Sequence, residues 1–327
     1  MSFEAAIAAF LVTCAGLALL LSPAGRRMLL DRPNDRSLHE HAIPRSGGIA
    51  IAAGVGVGAA LAPHVPAEAL LVAAGLAAVS LVDDVAPLPA LLRLGVHLTA
   101  AGIFLAIGLP AVEPWLFIVL LLAVAWYANL FNFMDGSDGL AGGMAVIGFG
   151  AYALAGHMTG QTGLAQASAC IAVSALAFIF ANFPPARLFM GDAGSVPLGF
   201  LAGALGVEGW RAGAWPAWFP LLVFAPFVGD ATLTLLRRAL RGERIWQAHR
   251  SHYYQRLVQM GAGHRGTALI EYAAMALCAG AALFAREAPG IHQAVVLGVA
   301  AAALAASAAW IDALWVRHLA RGRRGSA

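Results

Sequence analysis

The chain has 327 residues, 61% hydrophobic and only 11% charged, with a formal net charge of +3 and a mean hydropathy of +0.78. A soluble globular domain is nearer half apolar and a quarter charged. Because the apolar residues run along the whole length, an ordinary water-soluble enzyme is excluded, no nucleic-acid-binding signature is present, and a lipid bilayer is the expected solvent. All 20 basic residues are Arg, which reads mainly as a compositional bias, although Arg suits phosphate recognition. Cys14, Cys170 and Cys278 lie far apart inside apolar runs, so neither a disulfide framework nor a zinc site is indicated.

The first 25 residues are apolar without a basic leader, and Arg26 and Arg27 follow the run. That polarity is the reverse of a cleaved signal peptide and predicts a first membrane helix with its N-terminus outside. A span needs about 20 mainly apolar residues. Apolar runs predict eleven of them, at 3–22, 46–63, 66–82, 88–109, 114–132, 139–157, 162–181, 194–209, 213–235, 267–285 and 291–316. The fold class expected is all-α, one polytopic membrane domain over 1–327, with a cytoplasmic loop at 236–266 carrying an interfacial helix and a His motif. Starting outside, the inward loops and tail hold 18 of the 20 Arg, and the outward loops hold only Arg211 and Arg286. The positive-inside rule then gives a cytoplasmic C-terminus and an odd number of spans.

The same parity places the acidic motifs on one side. Asp83 and Asp84 end the third span, Asp135 and Asp138 follow the fifth, and Asp192 follows the seventh. Any single one is explained as a hydrated helix end. Five from three loops, each set among Gly, Asn or Pro, point to a shared site. In Asn129-Leu-Phe-Asn132-Phe-Met-Asp135-Gly-Ser-Asp138-Gly the three-residue spacing of Asn129, Asn132 and Asp135 lines one helical face, and the glycines permit a sharp turn. The spacing does not match an EF-hand loop. In Asn182-Phe-Pro-Pro-Ala-Arg187-Leu-Phe-Met-Gly191-Asp192-Ala-Gly194-Ser195 the prolines end the seventh span, and Gly and Ser after Asp192 can offer backbone N–H groups to phosphate. A third stretch runs from Asp31 through His39 and Pro44 to Arg45-Ser-Gly47-Gly48, and a fourth from Arg237 through His249, Arg250 and His252 to Arg256. Arg237, Arg238, Arg241 and Arg244, beside Leu240, Ile245 and Trp246, read as an interfacial helix. His249 and His252 lie one turn apart, which suits phosphate better than metal without a third ligand.

These four segments, in this order, resemble the polyprenyl-phosphate N-acetylhexosamine-1-phosphate transferases, which include the enzymes starting O-antigen and enterobacterial common antigen synthesis and the phospho-MurNAc-pentapeptide translocase. The resemblance runs from about Asp31 to Gly261 and is carried most specifically by NxxNxxDGxDGLAxG and FMGDAGS; Asp83-Asp84 and the Pro226–Asp230 stretch also fit. It implies a Mg²⁺-dependent reaction, with Mn²⁺ as an alternative ion, in a bacterial cytoplasmic membrane with the site on the cytoplasmic face. Undecaprenyl phosphate would attack the β-phosphate of a UDP-HexNAc (UDP-GlcNAc, or a 6-deoxy relative such as UDP-FucNAc or UDP-QuiNAc) and release UMP. A divalent cation and cationic side chains would offset the repulsion between two anionic substrates.

By the same resemblance Asp192 is the first choice for a metal ligand, with Asp138 beside it. Asp83 or Asp84 would accept the lipid-phosphate proton or help with metal. Asp135 and Asp138 with Asn132 would form the nucleotide-side wall. His249, Arg250 and His252 would meet phosphates, and His39, Arg45 and Asn182 would help hold substrate. Mg²⁺ takes only one or two carboxylates directly, so the five acids cannot all be ligands. Two departures favour the O-antigen type of branch: Tyr254 and Gln255 stand where further His often occurs, and Arg45-Ser-Gly-Gly replaces the translocase's Thr-Met-Gly-Gly. The pentapeptide translocase is the alternative reading. An ion-coupled transporter is a remote one, because coupling acids there sit near the midplane within repeats. Gly- and Ala-rich spans permit a homodimer without specifying it.

Overall fold

The structure is a computed structural model that describes residues 3–27, 29–31, 41–109, 112–247 and 249–325. Ten of the eleven predicted apolar runs fall on one helix each, and the ninth falls on two. In chain order these are α1 (Phe3–Leu20), α2 (Gly47–Leu61), α3 (Ala67–Val85), α4 (Ala90–Gly108), α5 (Pro114–Met134), α6 (Leu140–Met158), α7 (Thr162–Asn182) and α8 (Asp192–Arg211). There follow the short α9 (Phe219–Val223), α10 (Ala225–Leu240), the short α11 (Tyr253–Leu257), α12 (Gly263–Ala285) and α13 (Gly290–Gly325). By length and hydropathy, seven helical stretches among the described residues qualify as membrane spans: α1, α4, α5, α6, α7, the stretch Tyr253–Ala285, and α13. The chain is therefore an all-α, multi-pass membrane protein.

The remaining helices fall short for separate reasons: α2 and α10 have only 15 and 16 residues, and α3 carries Glu68, Asp83 and Asp84. Most of α7's apolar window is buried within the protein, 78% against 6% for α13. Leu91 and Phe284 are among the large side chains turned outward, as expected where the solvent is lipid. The Gly-rich α8 lies inside the bundle, buried from Ala193 to Val207. A Cβ at Gly199 would meet the Tyr127 carbonyl at 2.3 Å, and one at Gly203 the Val124 Cα at 3.0 Å. Small residues let α8 approach α5 closely, and a helix surrounded by protein needs no lipid-facing hydropathy.

Two boundaries differ from the sequence expectation. The ninth run, read as one span over 213–235, is broken at Phe224 into α9 and α10. Pro226 sits in the first turn of α10, where its missing N–H cannot serve the preceding turn. The basic segment read as a separate interfacial helix is mainly the end of α10. Arg237 and Arg238 occupy its last turn, Arg241 is its C-cap, and Arg244 follows in a non-helical turn. A π-turn over Val258–Ala262, with Gly261 at φ 105°, joins α11 to α12.

A two-stranded ribbon, β1 (Leu30–Asp31) and β2 (Ile43–Pro44), pairs antiparallel. The ribbon continues into the loop before α8: Phe189 N–H donates to Pro44 O at 2.7 Å, Gly47 N–H to Phe189 O at 2.9 Å and Gly48 N–H to Met190 O at 2.8 Å. These bonds seat the start of α8 against the start of α2.

Candidate active site

The start of α8 is held from three sides. Gly191 takes φ +76°, and a Cβ there would meet the Arg45 carbonyl at 2.6 Å, so the turn into the helix requires Gly. From the end of α3, the buried Asp84 carboxylate accepts the Asp192 N–H at 3.2 Å and the Ala193 N–H at 3.1 Å. It thereby caps a helix other than its own and satisfies two of the orphan donors every helix start leaves. Arg45 hydrogen-bonds the Asp84 main-chain carbonyl through Nη2, and its Nε lies 3.7 Å from the Asp84 carboxylate. Asp84 and Arg45 thus brace the site, with both carboxylate oxygens of Asp84 engaged.

Asp83, one residue earlier, faces another way. Its Oδ1 accepts the Leu88 N–H at 2.6 Å, and its Oδ2 lies 3.5 Å from Arg93 Nη1 on α4. The same guanidinium nitrogen is 3.8 Å from Asp192 Oδ2. Asp192 Oδ1 accepts from Asn132 Nδ2 at 2.8 Å, and that amide also reaches Ser195 Oγ at 3.2 Å. Asp83, Arg93, Asn129, Asn132, Asp192 and His252 line one cavity of about 490 Å³, to which His249 and Gln255 also contribute. Most of its remaining wall is apolar, and Leu91, Leu94, Ile245 and Trp246 there are exposed on the outer surface. A polar pocket that opens onto an apolar outer wall suits an acceptor with a charged head and a hydrocarbon tail.

The turn between α5 and α6 supplies the next carboxylates. Burial, then the charges of Asp192, Asp84 and Asp138, push Asp135 well above the usual carboxylate range. Burial and the neighbouring Asp84 likewise push Asp192, ahead of the apolar part of α8, up to about 6. Asp138 is engaged differently. Its Oδ2 accepts the Ala186 N–H at 2.9 Å, and its Oδ1 lies 3.7 Å from His264 Nδ1. Asn182, read from sequence as a substrate contact, has both amide ends engaged: Oδ1 accepts the Gly139 N–H at 2.8 Å, and Nδ2 donates to Leu188 O at 3.0 Å. Asn182 and Asp138 therefore lace the α5–α6 turn to the loop before α8. Gly139, at φ +78°, lets that turn close.

The segment after α10 folds back over the pocket. His252 is buried, and its Nδ1 lies 3.0 Å from Asp230 Oδ1 on α10. Its ring stacks with those of Phe133 and Tyr254, with centroids 6.2 and 5.8 Å away. The His249 ring is 4.9 Å from that of His252, and its Nδ1 accepts from Ser251 Oγ at 2.8 Å. Burial and the adjacent His252 lower His249 to about 4, so it is neutral at pH 7. Arg250 holds the segment through its carbonyl, which accepts from Gln259 Nε2 at 3.1 Å. His39 lies outside the described residues.

Sequence reasoning missed two members of this arrangement as site residues. Arg93 entered only as an inside charge. Asp230 entered only within a matching stretch, although an acid buried on an otherwise apolar helix start is itself a signal. The donors present fit a hydrated divalent cation. Among the described residues no closed cage of three or more His, Cys, Asp or Glu side chains exists. Mg²⁺ needs none, since it binds through one or two carboxylates and takes water and substrate phosphates for the rest. No hydrogen-bond donor among the described residues meets the Asp135 carboxylate, and the mutual repulsion that raises Asp135 is what a divalent cation would relieve.

Comparison with known proteins shows the family. Residues 67–209 match the model of glycosyl transferase family 4, a stretch that holds Asp83 through Asp192. The chain is 30% identical to a probable undecaprenyl-phosphate N-acetylglucosaminyl 1-phosphate transferase of Bacillus subtilis, over 81% of each chain. It is 30% identical to a decaprenyl-phosphate N-acetylglucosaminephosphotransferase of Mycolicibacterium smegmatis, over 82% of this chain and 78% of the relative. With an undecaprenyl-phosphate alpha-N-acetylglucosaminyl 1-phosphate transferase of Escherichia coli it shares 27% over 89% of this chain and 86% of the relative. A carboxylate–Arg–Asn pocket at the ends of membrane helices, matched along most of the chain by such relatives, places this protein in the polyprenyl-phosphate N-acetylhexosamine-1-phosphate transferase family.

Proposed function

We propose that the protein transfers a HexNAc-1-phosphate from a UDP-sugar to undecaprenyl phosphate, giving undecaprenyl-diphosphate-sugar and UMP, and so starts a cell-surface glycan such as O antigen. The supporting observation is one cavity that joins Asp83, Arg93, Asn132, Asp192 and His252 to an apolar outer wall; the relatives' names supply the reaction class. UDP-GlcNAc is the first donor to test, because those relatives are named for N-acetylglucosamine. The Arg distribution supports eleven spans, with the site on the cytoplasmic side of a bacterial inner membrane.

In this reading the lipid phosphate enters along the apolar wall and meets Arg93, whose charge offsets the approach of a second anion. Asp83 Oδ2 is placed to take the acceptor's proton, while a lipid-phosphate oxygen forms a bond to the β-phosphorus and the bond to UMP breaks. Asn132 fixes the Asp192 carboxylate. A Mg²⁺ ion, when bound, would neutralise pyrophosphate charge and stabilise departing UMP; Asp192, with Asp135 close by, would hold it. Purified protein supplied with Mg²⁺, undecaprenyl phosphate and a panel of UDP-HexNAc donors should yield UMP and a lipid-diphosphate-sugar of matching mass. No product from any UDP-HexNAc refutes the reading, and turnover of UDP-MurNAc-pentapeptide alone would move the protein to the translocase branch.

A further inference from the structure

Asp230 is an acid with an unusual set of partners. It is buried on α10, and no charge on its own helix approaches its carboxylate closely. Oδ1 accepts from Thr234 Oγ1, His252 Nδ1 and the Tyr253 N–H, all at 3.0 Å, and Oδ2 accepts from the Tyr254 N–H at 3.0 Å. Backbone N–H groups can only donate, so the carboxylate acts as an acceptor throughout, and the nitrogen of His252 that faces it must carry hydrogen. Capping the start of α11 would need only the Tyr253 and Tyr254 contacts. The third donor, the imidazole, is what a mere cap does not require.

We infer that Asp230 is the positioning residue that fixes His252 as its Nδ1–H form and turns Nε2 into the cavity toward the phosphate groups of the substrates, an assignment that rests on the transferase reading for its ligand. Three further observations support it. His252 lines the cavity, and its Nε2 has no hydrogen-bond partner among the described residues. The rings of Phe133 and Tyr254 lie near that of His252 at interplanar angles of 26° and 20°. The main chain that carries the ring is itself fixed, the His252 N–H donating to Gln255 Oε1 at 3.2 Å. In the neutral ring Nε2 is an acceptor, and in the protonated ring it donates to a phosphate oxygen while Asp230 balances the charge. Either way the choice of nitrogen is made by a residue that touches no substrate.

The test has a readout independent of turnover. In full-length protein with ¹⁵N-labelled histidine in micelles, with His252 assigned by loss of its signals in His252→Gln, the neutral ring should show a protonated Nδ1 and an unprotonated Nε2. Asp230→Ala should abolish that pattern. It should lower kcat by about 10–100-fold, the scale on which partners that orient ligand histidines act, with little change in the KM for UDP-sugar. The double variant Asp230→Ala/His252→Ala should be no slower than His252→Ala. A wild-type neutral ring that carries its hydrogen on Nε2 and not on Nδ1, or losses that multiply in the double variant, would overturn the assignment. If Asp230→Ala does not accumulate, the wild-type ring signal and the same cycle built with Asp230→Asn decide. The expected ring signal in a protein that releases no UMP from any donor would count against the transferase reading and leave the Asp230–His252 pairing in place.

Discussion

Gly48 is the position where a single methyl group should do most damage to the site without touching it. A Cβ there would lie 2.3 Å from Gly194 N, 2.4 Å from Gly194 Cα and 2.8 Å from Ala193 C. Carbon contacts settle at about 3.5–4.0 Å, so Gly48→Ala forces the start of α8 and the start of α2 apart by about 1 Å. The obstacle is backbone and cannot swing aside as a side chain would. Overpacking of this kind costs about 1–3 kcal/mol, which a bundle of this size should survive. The catalytic consequence is larger. Asp192 sits two residues before Gly194, and its 2.8 Å bond to Asn132 and its approach to Arg93 would open together. A misplacement of about 1 Å can lower a rate about 100-fold. Gly56→Ala is the control, on the same helix with nothing within 4 Å of the added Cβ. UMP release and thermal unfolding in the same detergent would be measured for both. Gly48→Ala is expected to unfold at a somewhat lower temperature and turn over about 100-fold more slowly, with Gly56→Ala close to wild type. Equal turnover by the two variants would refute the claim that the α2–α8 approach sets the position of Asp192.

Asp84→Ala should act first on stability. It removes the acceptor of two N–H groups at the start of α8 and leaves Arg45 without its carboxylate neighbour; lost caps cost about 0.5–2 kcal/mol, so a lower melting temperature is expected even in protein without substrate, and an unchanged one would remove the capping role. Asp192→Asn should behave oppositely. It keeps an oxygen for Asn132 and the N–H groups that Asp84 caps, so the melting temperature should hold while Mg²⁺-dependent UMP release is lost; wild-type turnover would show that Asp192 is not the metal-binding carboxylate.

How much of this was legible in the sequence varies with the physics involved. Helix positions were, because the bilayer requires every span to satisfy its own backbone and to show about 20 apolar residues. The break at Phe224 was not, since Pro220 and Pro226 lie inside an apolar run whose hydropathy is blind to a missing donor. The weak reading of α8 has the opposite cause. Its glycines let it sit enclosed by α3 and α5, and glycine adds little hydropathy to a run. The boundary of the basic segment was hidden for a third reason: Arg237 and Arg238 at helical spacing describe the last turn of α10 as well as they describe an independent helix.

Within the site, residue type gave the participants but not their orientation. Asp83 and Asp84 are chemically identical and adjacent, and either could have been chosen as the proton acceptor. Adjacent residues on a helix point about 100° apart, so one that faces a neighbouring helix start becomes a cap while the other is left facing the pocket. What decides between them is the docking of α8, a contact more than 100 residues away in sequence. Asn182 and Asp138 follow the same logic. Each belongs to a motif that carries chemistry, and each is drawn into bonds between the α5–α6 turn and the loop before α8, because a turn at a membrane surface must find partners for its own backbone before it can offer groups to a substrate. A motif in this fold therefore contains two kinds of polar residue, those that hold the loops in register and those that face the cavity. The second kind is recognised by its place on the cavity wall: Asp83 and Asp192, both within reach of Arg93, and His252, whose Nε2 meets no hydrogen-bond partner among the described residues.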